Sequence, residues 1–245
     1  MSRRRRTLVV TLPLFLLAAA AAADASAQEG ISSPFRFVEE TQSLGLFGGY
    51  ALTDEGALDL GPESAYGVGL RYTLRISGPF TAEATATYLP ATRTVFDTTR
   101  VDGGFDPLGE ADLSLAILQA ALRFDLTGPR TYYGFQPYIV TGIGAAVDVS
   151  DSDAAFRDEL VAEAVDPSAV VYDFGTTFAA QVGAGIEWFV SRRVTVNADV
   201  RDLFWEIEAP AAFVEPGTGT EPALDVPSEE WVQNFVFQLG LSYRF

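Results

Sequence analysis

From residue 231 onward the chain reads WVQNFVFQLGLSYRF. Phe235, Phe237, Leu239, Leu241, Tyr243 and Phe245 share one parity, and Gln238, Gly240, Ser242 and Arg244 share the other. An apolar/polar period of two predicts a strand with one apolar and one polar face. Upstream, Tyr66, Val68, Leu70, Tyr72, Leu74 and Ile76 oppose Gly67, Gly69, Arg71, Thr73 and Arg75. Phe178, Ala180, Val182, Ala184, Ile186 and Trp188 oppose Ala179, Gln181, Gly183, Gly185 and Glu187 in the same way. One segment changes phase: Leu113, Leu115 and Ile117 share one parity, and Leu118, Ala120, Leu122, Phe124 and Leu126 the other. A bulge near Ile117 is the expected cause.

Eight segments carry strand character: 43–52, 65–76, 80–89, 111–126, 136–149, 174–190, 194–207 and 231–245. Most reach the roughly ten residues that a tilted membrane-crossing strand needs. The connections 77–79, 127–135 and 191–193 are short, whereas 53–64, 90–110, 150–173 and 208–230 are long, in strict alternation. Short turns on one side and long loops on the other predict an all-β, eight-stranded antiparallel up-and-down transmembrane β-barrel with both termini at the short-turn, periplasmic side. A soluble sandwich or lipocalin-like barrel is the competing fold, but it needs no apolar residues facing outward. Aromatics fall at two levels, as membrane-interface girdles do. Phe80, Tyr132, Tyr133, Tyr138, Trp188, Phe189, Tyr243 and Phe245 lie near the short turns, and Tyr50, Tyr66, Tyr88, Phe174, Phe204, Trp205 and Trp231 near the long loops.

The first 27 residues read as a cleaved secretory signal: Arg3 to Arg6 are the charged region, residues 8 to 17 the apolar core, and Ala25-Ser26-Ala27 the cleavage site. Residues 28 to 42 are polar, are broken at Ser33-Pro34, and read as a short periplasmic lead-in to a barrel over 43–245. The formal net charge is −17, and every cation is an arginine. An acidic balance of this size argues against nucleic-acid partners, whose phosphates need a basic face.

The chain has neither histidine nor cysteine. That removes the usual general base, the Ser-His and Cys-His nucleophile pairs, the common zinc ligands and disulfides. No catalytic, cofactor-binding or metal-binding residue is expected, and the chain reads as a non-enzyme. Ionisable residues fall on the inward parities: Arg71, Arg75, Glu83, Arg123, Asp125, Glu187, Asp199, Arg201 and Arg244. Side chains fill an eight-stranded barrel and buried charges must pair, so a salt-bridge plug is the first reading and an ion pathway the second.

Acids concentrate in the long loops: Asp54, Glu55, Asp59 and Glu63; Asp97, Asp102, Asp106, Glu110 and Asp112; Asp151, Asp153, Asp158, Glu159 and Glu163; Glu206, Glu208, Glu215, Glu221, Asp225, Glu229 and Glu230. They form a solvated surface that could attract divalent cations or a basic partner. Asp148, Asp151 and Asp153 near Glu159 lack the glycine and spacing of a calcium loop. Asp153 is instead expected to cap a short helix over 154–165.

The ending Gln238, Gly240, Tyr243, Phe245, with the strand Gly183-Ala184-Gly185-Ile186-Glu187 and its three-residue turn, resembles the small eight-stranded outer-membrane barrels of the OmpA-like, OmpX-like and OmpW-like group. The resemblance implies a bacterial outer-membrane location among lipid and assembly by the barrel-insertion machinery through the strand ending at Phe245. Because the chain ends at the barrel, no wall-binding domain is expected after it. Two roles follow: a plugged barrel with a structural or surface-interaction role, or a narrow OmpW-like channel for small or apolar solutes. A continuous charge ladder inside favours the first. A break beneath the loops lined by Leu or Phe favours the second.

Overall fold

The computed structural model describes residues 33–57, 59–96, 107–150, 174–209 and 229–245. The expected signal over 1–27, the helix over 154–165 and most of the long-loop acids lie outside the described residues. Within them the strands are β1 (Phe35–Phe37), β2 (Gln42–Leu52), β3 (Ala65–Ser77), β4 (Phe80–Phe96), β5 (Pro107–Asp125), β6 (Arg130–Tyr132), β7 (Phe135–Asp148), β8 (Thr176–Phe189), β9 (Val194–Glu208) and β10 (Glu229–Arg244). The eight long strands match the eight expected segments. β4 and β5 extend seven and four residues, respectively, into what the pattern marked as loop.

Those eight form a closed antiparallel ring in the order β2-β3-β4-β5-β7-β8-β9-β10, with β10 returning to β2. Tyr243 lies opposite Leu44 and Phe235 opposite Leu52 across the closure. Closure leaves no unpaired wall edge. It also sorts the side chains by parity. Leu46, Leu70, Leu118, Ile139, Ile143, Val182, Leu239 and Leu241 are exposed on the outside, Leu46 at 67%. An apolar outer face on every wall is the arrangement lipid demands and water penalises.

No bulge occurs at Ile117. β4 and β5 hold register from Phe80 opposite Phe124 to Val95 opposite Gly109, and the irregularities lie at Arg75/Ser77 and Val95/Phe96. Leu113, Leu115, Ile117, Gln119, Arg123 and Asp125 therefore all face inward, and all are buried. The apolar parity switches because the lumen itself changes from polar to apolar along its length.

The girdles form from outward aromatics, paired at the turn end as Phe80–Phe124 (5.4 Å) and Phe135–Trp188 (6.1 Å), and at the loop end as Tyr50–Tyr66 (4.7 Å) and Phe178–Trp231 (6.3 Å). Four expected members are elsewhere. Tyr138, Phe174 and Trp205 are buried, and Phe189 lies under the Arg244 guanidinium, 5.0 Å from its ring centre. Each occupies an inward position, which end-of-strand placement alone does not reveal.

The lead-in is more than a tether. β1 pairs with β6, which lies in the turn between β5 and β7, on the side of the ring opposite β2. Residues 38 to 41 must therefore cross the turn-end mouth to reach β2. The strap is held by Val38 N–H donating to the Pro129 carbonyl (3.0 Å), and by Arg75 Nη1 and Arg244 Nη2 donating to the carbonyls of Val38 (3.1 Å) and Glu40 (2.8 Å). Val38 is buried beneath it.

Leu239 lies at mid-wall between the Tyr243 and Trp231 levels. Leu239→Arg is expected to cost about 2–4 kcal/mol for a lipid-facing charge at mid-depth, measured by urea unfolding in lipid vesicles.

Candidate functional site

The lumen is the candidate site, because every inward position of the eight strands converges there. Glycines give it room. A Cβ at Gly185 would meet the Tyr138 ring at 2.6 Å, and one at Gly69 would collide with the Phe47 ring. The two large rings can thus lie across the interior only where the facing strand carries no side chain.

The turn-end half holds two linked charge clusters. In the first, Arg201 Nη1 meets Glu83 Oε1 at 2.7 Å and its Nε meets Asp199 Oδ1 at 2.6 Å, while Arg71 Nη1 reaches Asp199 Oδ2 at 2.9 Å. Tyr138 donates its hydroxyl proton to Asp199 Oδ2 (2.9 Å), and Arg71 Nη2 donates to Gln238 Oε1 (2.6 Å). In the second, Arg123 bonds Asp125 Oδ1 (2.6 Å) and Glu187 Oε2 (2.5 Å), and Arg244 Nη1 bonds Glu187 Oε1 (3.2 Å). The Arg123 guanidinium stacks on Tyr138 at 3.8 Å from the ring centre and joins the clusters. Four arginines, 71, 123, 201 and 244, face four acids, 83, 125, 187 and 199, and all eight are buried. Their charges balance. Buried charge of either sign survives in such a space only when matched and hydrogen-bonded.

The loop-end half is different. Ala51, Leu89, Leu113, Leu115, Ile117, Leu203, Trp205, Ile207, Val232 and Val236 pack into one apolar cluster with Leu60 and Phe174. Phe174 and Trp205 meet edge to face, 6.2 Å apart.

All nine ionisable residues expected inside are inside, with Arg75 half-buried beside the strap and the other eight buried. Parity and the need to pair were sufficient signals. Arg93 is buried as well, in a stretch that the sequence pattern marks as loop and that continues β4. The inward apolar residues of β5 were missed because an apolar residue was assumed to face out.

At the loop end, the segment after β2 folds back on neighbouring strands. Ala57 N–H donates to Glu230 Oε2 (2.8 Å), and the Thr92 hydroxyl to Glu63 Oε2 (2.9 Å). The Glu55 carboxyl is raised above its ordinary value, first by partial burial, then by the charges of Asp59, Glu63 and Asp54. Asp148 Oδ1 accepts from the Ser150 backbone N–H (2.8 Å) and hydroxyl (2.5 Å), closing a local turn. Among the described residues no three carboxylates converge as a metal site requires.

A closed ring of eight long strands, apolar outside and filled with paired charge and apolar side chains within, defines a transmembrane β-barrel of the bacterial outer-membrane type. The chain belongs to the outer membrane protein beta-barrel domain family, whose model matches residues 11–245. It is similar in structure to Neisserial surface protein A (12% identity, covering 83% of this chain and 97% of the other, TM-score 0.50). It is likewise similar to the outer membrane protein OprG from Pseudomonas aeruginosa (18%, 84% and 97%, TM-score 0.50). At these identities the likeness is one of fold. No curated protein matches the chain in sequence. Barrels of this family are bacterial outer-membrane proteins and sit in its lipid bilayer.

Asp199→Asn leaves Arg71 and Arg201 sharing Glu83 alone. It is expected to destabilise the barrel by about 3–5 kcal/mol, the cost of breaking a buried pair. A double change, Glu83→Leu with Arg201→Met, removes both charges of one pair and is expected to cost less. Urea unfolding of the two variants measures both.

Proposed function

We propose that the chain is an outer-membrane barrel closed to ions through its lumen, with a structural or surface-interaction role carried by its loop end. It is not an enzyme in this reading: Thr81 donates its hydroxyl to Asp125 (3.0 Å), but that carboxylate is already held by Arg123 and so is a poor base. The observation that carries it is the balanced set of eight buried charges in the turn-end half, reinforced by the strap over 38–41. Such a set carries no net charge to draw an ion in, so entry into the lumen carries most of the ion's desolvation cost. The short turns and both termini face the periplasm in this account, and the acids at the loop end face outward. Asp54, Glu55, Asp59 and Glu63 then present a surface suited to divalent cations or a basic partner. Assembly uses the insertion machinery, with the strand ending at Phe245 as the one that closes on β2.

A second reading, a narrow passage for small or apolar solutes, is favoured by one specific observation. The paired charge clusters end beneath the loops, and apart from buried Arg93 the lumen there is lined by Leu89, Leu113, Leu115, Ile117 and Trp205. A plug alone needs no apolar upper half.

Planar-bilayer recording on residues 28–245, refolded and checked by a heat-shifted gel band, tests the first reading. A folded barrel is expected to give no resolvable openings at moderate voltage. Stable openings abolished by Arg201→Met would place the ion path through the charge clusters and overturn the closed lumen.

A further inference from the structure

Where the two halves of the lumen meet, the packing leaves a cavity of about 20 Å³, roughly what one water-sized group needs. Gly49 and Gly67 leave one wall open, Leu89 and Ile117 make another apolar, and Thr87, Gln119, Gln238 and Trp205 supply the polar groups. Trp205 is fully buried and Gln119 is 8% exposed, yet the Trp205 indole Nε1 and the Gln119 amide Nε2 have no hydrogen-bond partner. An indole is a donor only, so its need can be met by nothing but an acceptor. Thr85, directly across the β4–β5 ladder from Gln119, also has an unpartnered hydroxyl, as Gln181 has an unpartnered Nε2. A buried N–H without a partner carries most of its desolvation cost uncompensated. Here two of them border one cavity with apolar walls.

We propose that this cavity is a recognition subsite for the carbonyl oxygen of a small, neutral, apolar molecule such as a short-chain ketone or aldehyde. The oxygen accepts from Trp205 Nε1 and Gln119 Nε2. The carbon chain extends toward the apolar half, displacing side chains such as Leu89 that now fill it. A neutral carbonyl suits the site better than a carboxylate. Arg71, which donates to the lining Gln238, and Arg201 are matched by Asp199 and Glu83, so these clusters add no net positive charge beside the donors. The inference rests on the reading of the upper lumen as a place for apolar solutes.

The test follows the Trp205 indole N–H by two-dimensional nuclear magnetic resonance. It uses ¹⁵N-labelled protein extracted from the outer membrane into detergent micelles, with the resonance assigned by Trp205→Phe. Titration with 2-pentanone is expected to move it downfield and saturably, and n-pentane at the same concentration is not. Gln119→Leu removes one donor and is expected to weaken 2-pentanone binding about five-fold, one hydrogen bond's worth. Leu89→Ala leaves both donors, widens the site, and is expected to tighten binding. That variant keeps the inference testable should Gln119→Leu fail to fold. Equal shifts with n-pentane and 2-pentanone would overturn the acceptor subsite while leaving the apolar lumen standing. No shift with either would overturn both.

Discussion

A chain that crosses hydrocarbon has no water to satisfy its backbone, so every N–H and C=O must be paired within the chain. For strands the solution is a ring. Here the last long strand carries the constraint, because β10 must find β2 across nearly the whole sequence, and does so over ten residue pairs from Arg244 opposite Ser43 to Phe235 opposite Leu52. Once the ring closes, parity alone decides which side chains meet lipid and which enter the lumen. The same closure brings Phe245 beside Gln42, where each backbone N–H donates to the other's carbonyl. The strap over 38–41 is thereby tied to the wall at its β2 end, while the β1–β6 pairing ties it on the far side.

An eight-stranded ring leaves an interior that side chains must fill. This one is filled in two chemistries. Toward the turns, each of the four buried guanidiniums meets a carboxylate while half-buried Arg75 donates to the strap, and Tyr138 spans the two clusters with its ring under Arg123 and its hydroxyl on Asp199. Toward the loops, the filling is mainly apolar, as in the core of a soluble protein, with Arg93 and Asn234 also buried. At the junction neither chemistry completes itself, and the unpartnered indole of Trp205 marks the seam. A closed base under an apolar upper lumen suits a barrel that works from its loop end.

Much of this was legible in the residues. Alternation gave the eight walls and the inward charges, since Arg71, Asp199 and Arg201 could face only one way if Leu70, Val200 and Ala198 faced the other. The departures at β5 and in the girdles share one cause. Apolar residues were assumed to point outward, so the run from Leu113 to Leu126 seemed to need a bulge; in fact Leu113, Leu115 and Ile117 face inward with Arg123. Trp205 and Tyr138 were placed in the girdles for the same reason, depth in the strand being read without its parity. β1 and β6 are three residues each, too short for any periodicity, and their pairing depends on contacts far apart in sequence. Arg93 stayed hidden because Pro90 marked a loop; the proline instead faces outward within β4, which continues past it.

One inward face runs unbroken along β5 from apolar at Leu113 to charged at Asp125. Because the chain has no cysteine of its own, single cysteines at positions 113 to 122 can each carry a nitroxide label in lipid vesicles. Electron paramagnetic resonance then reads mobility and access to dissolved oxygen position by position. The account predicts immobile, oxygen-poor labels at 113, 115, 117, 119 and 121, and lipid-like oxygen access at 114, 116, 118, 120 and 122, with constant phase. A phase reversal between 116 and 118 would restore the bulge, turn Leu113 and Leu115 toward lipid, and contradict the apolar lumen.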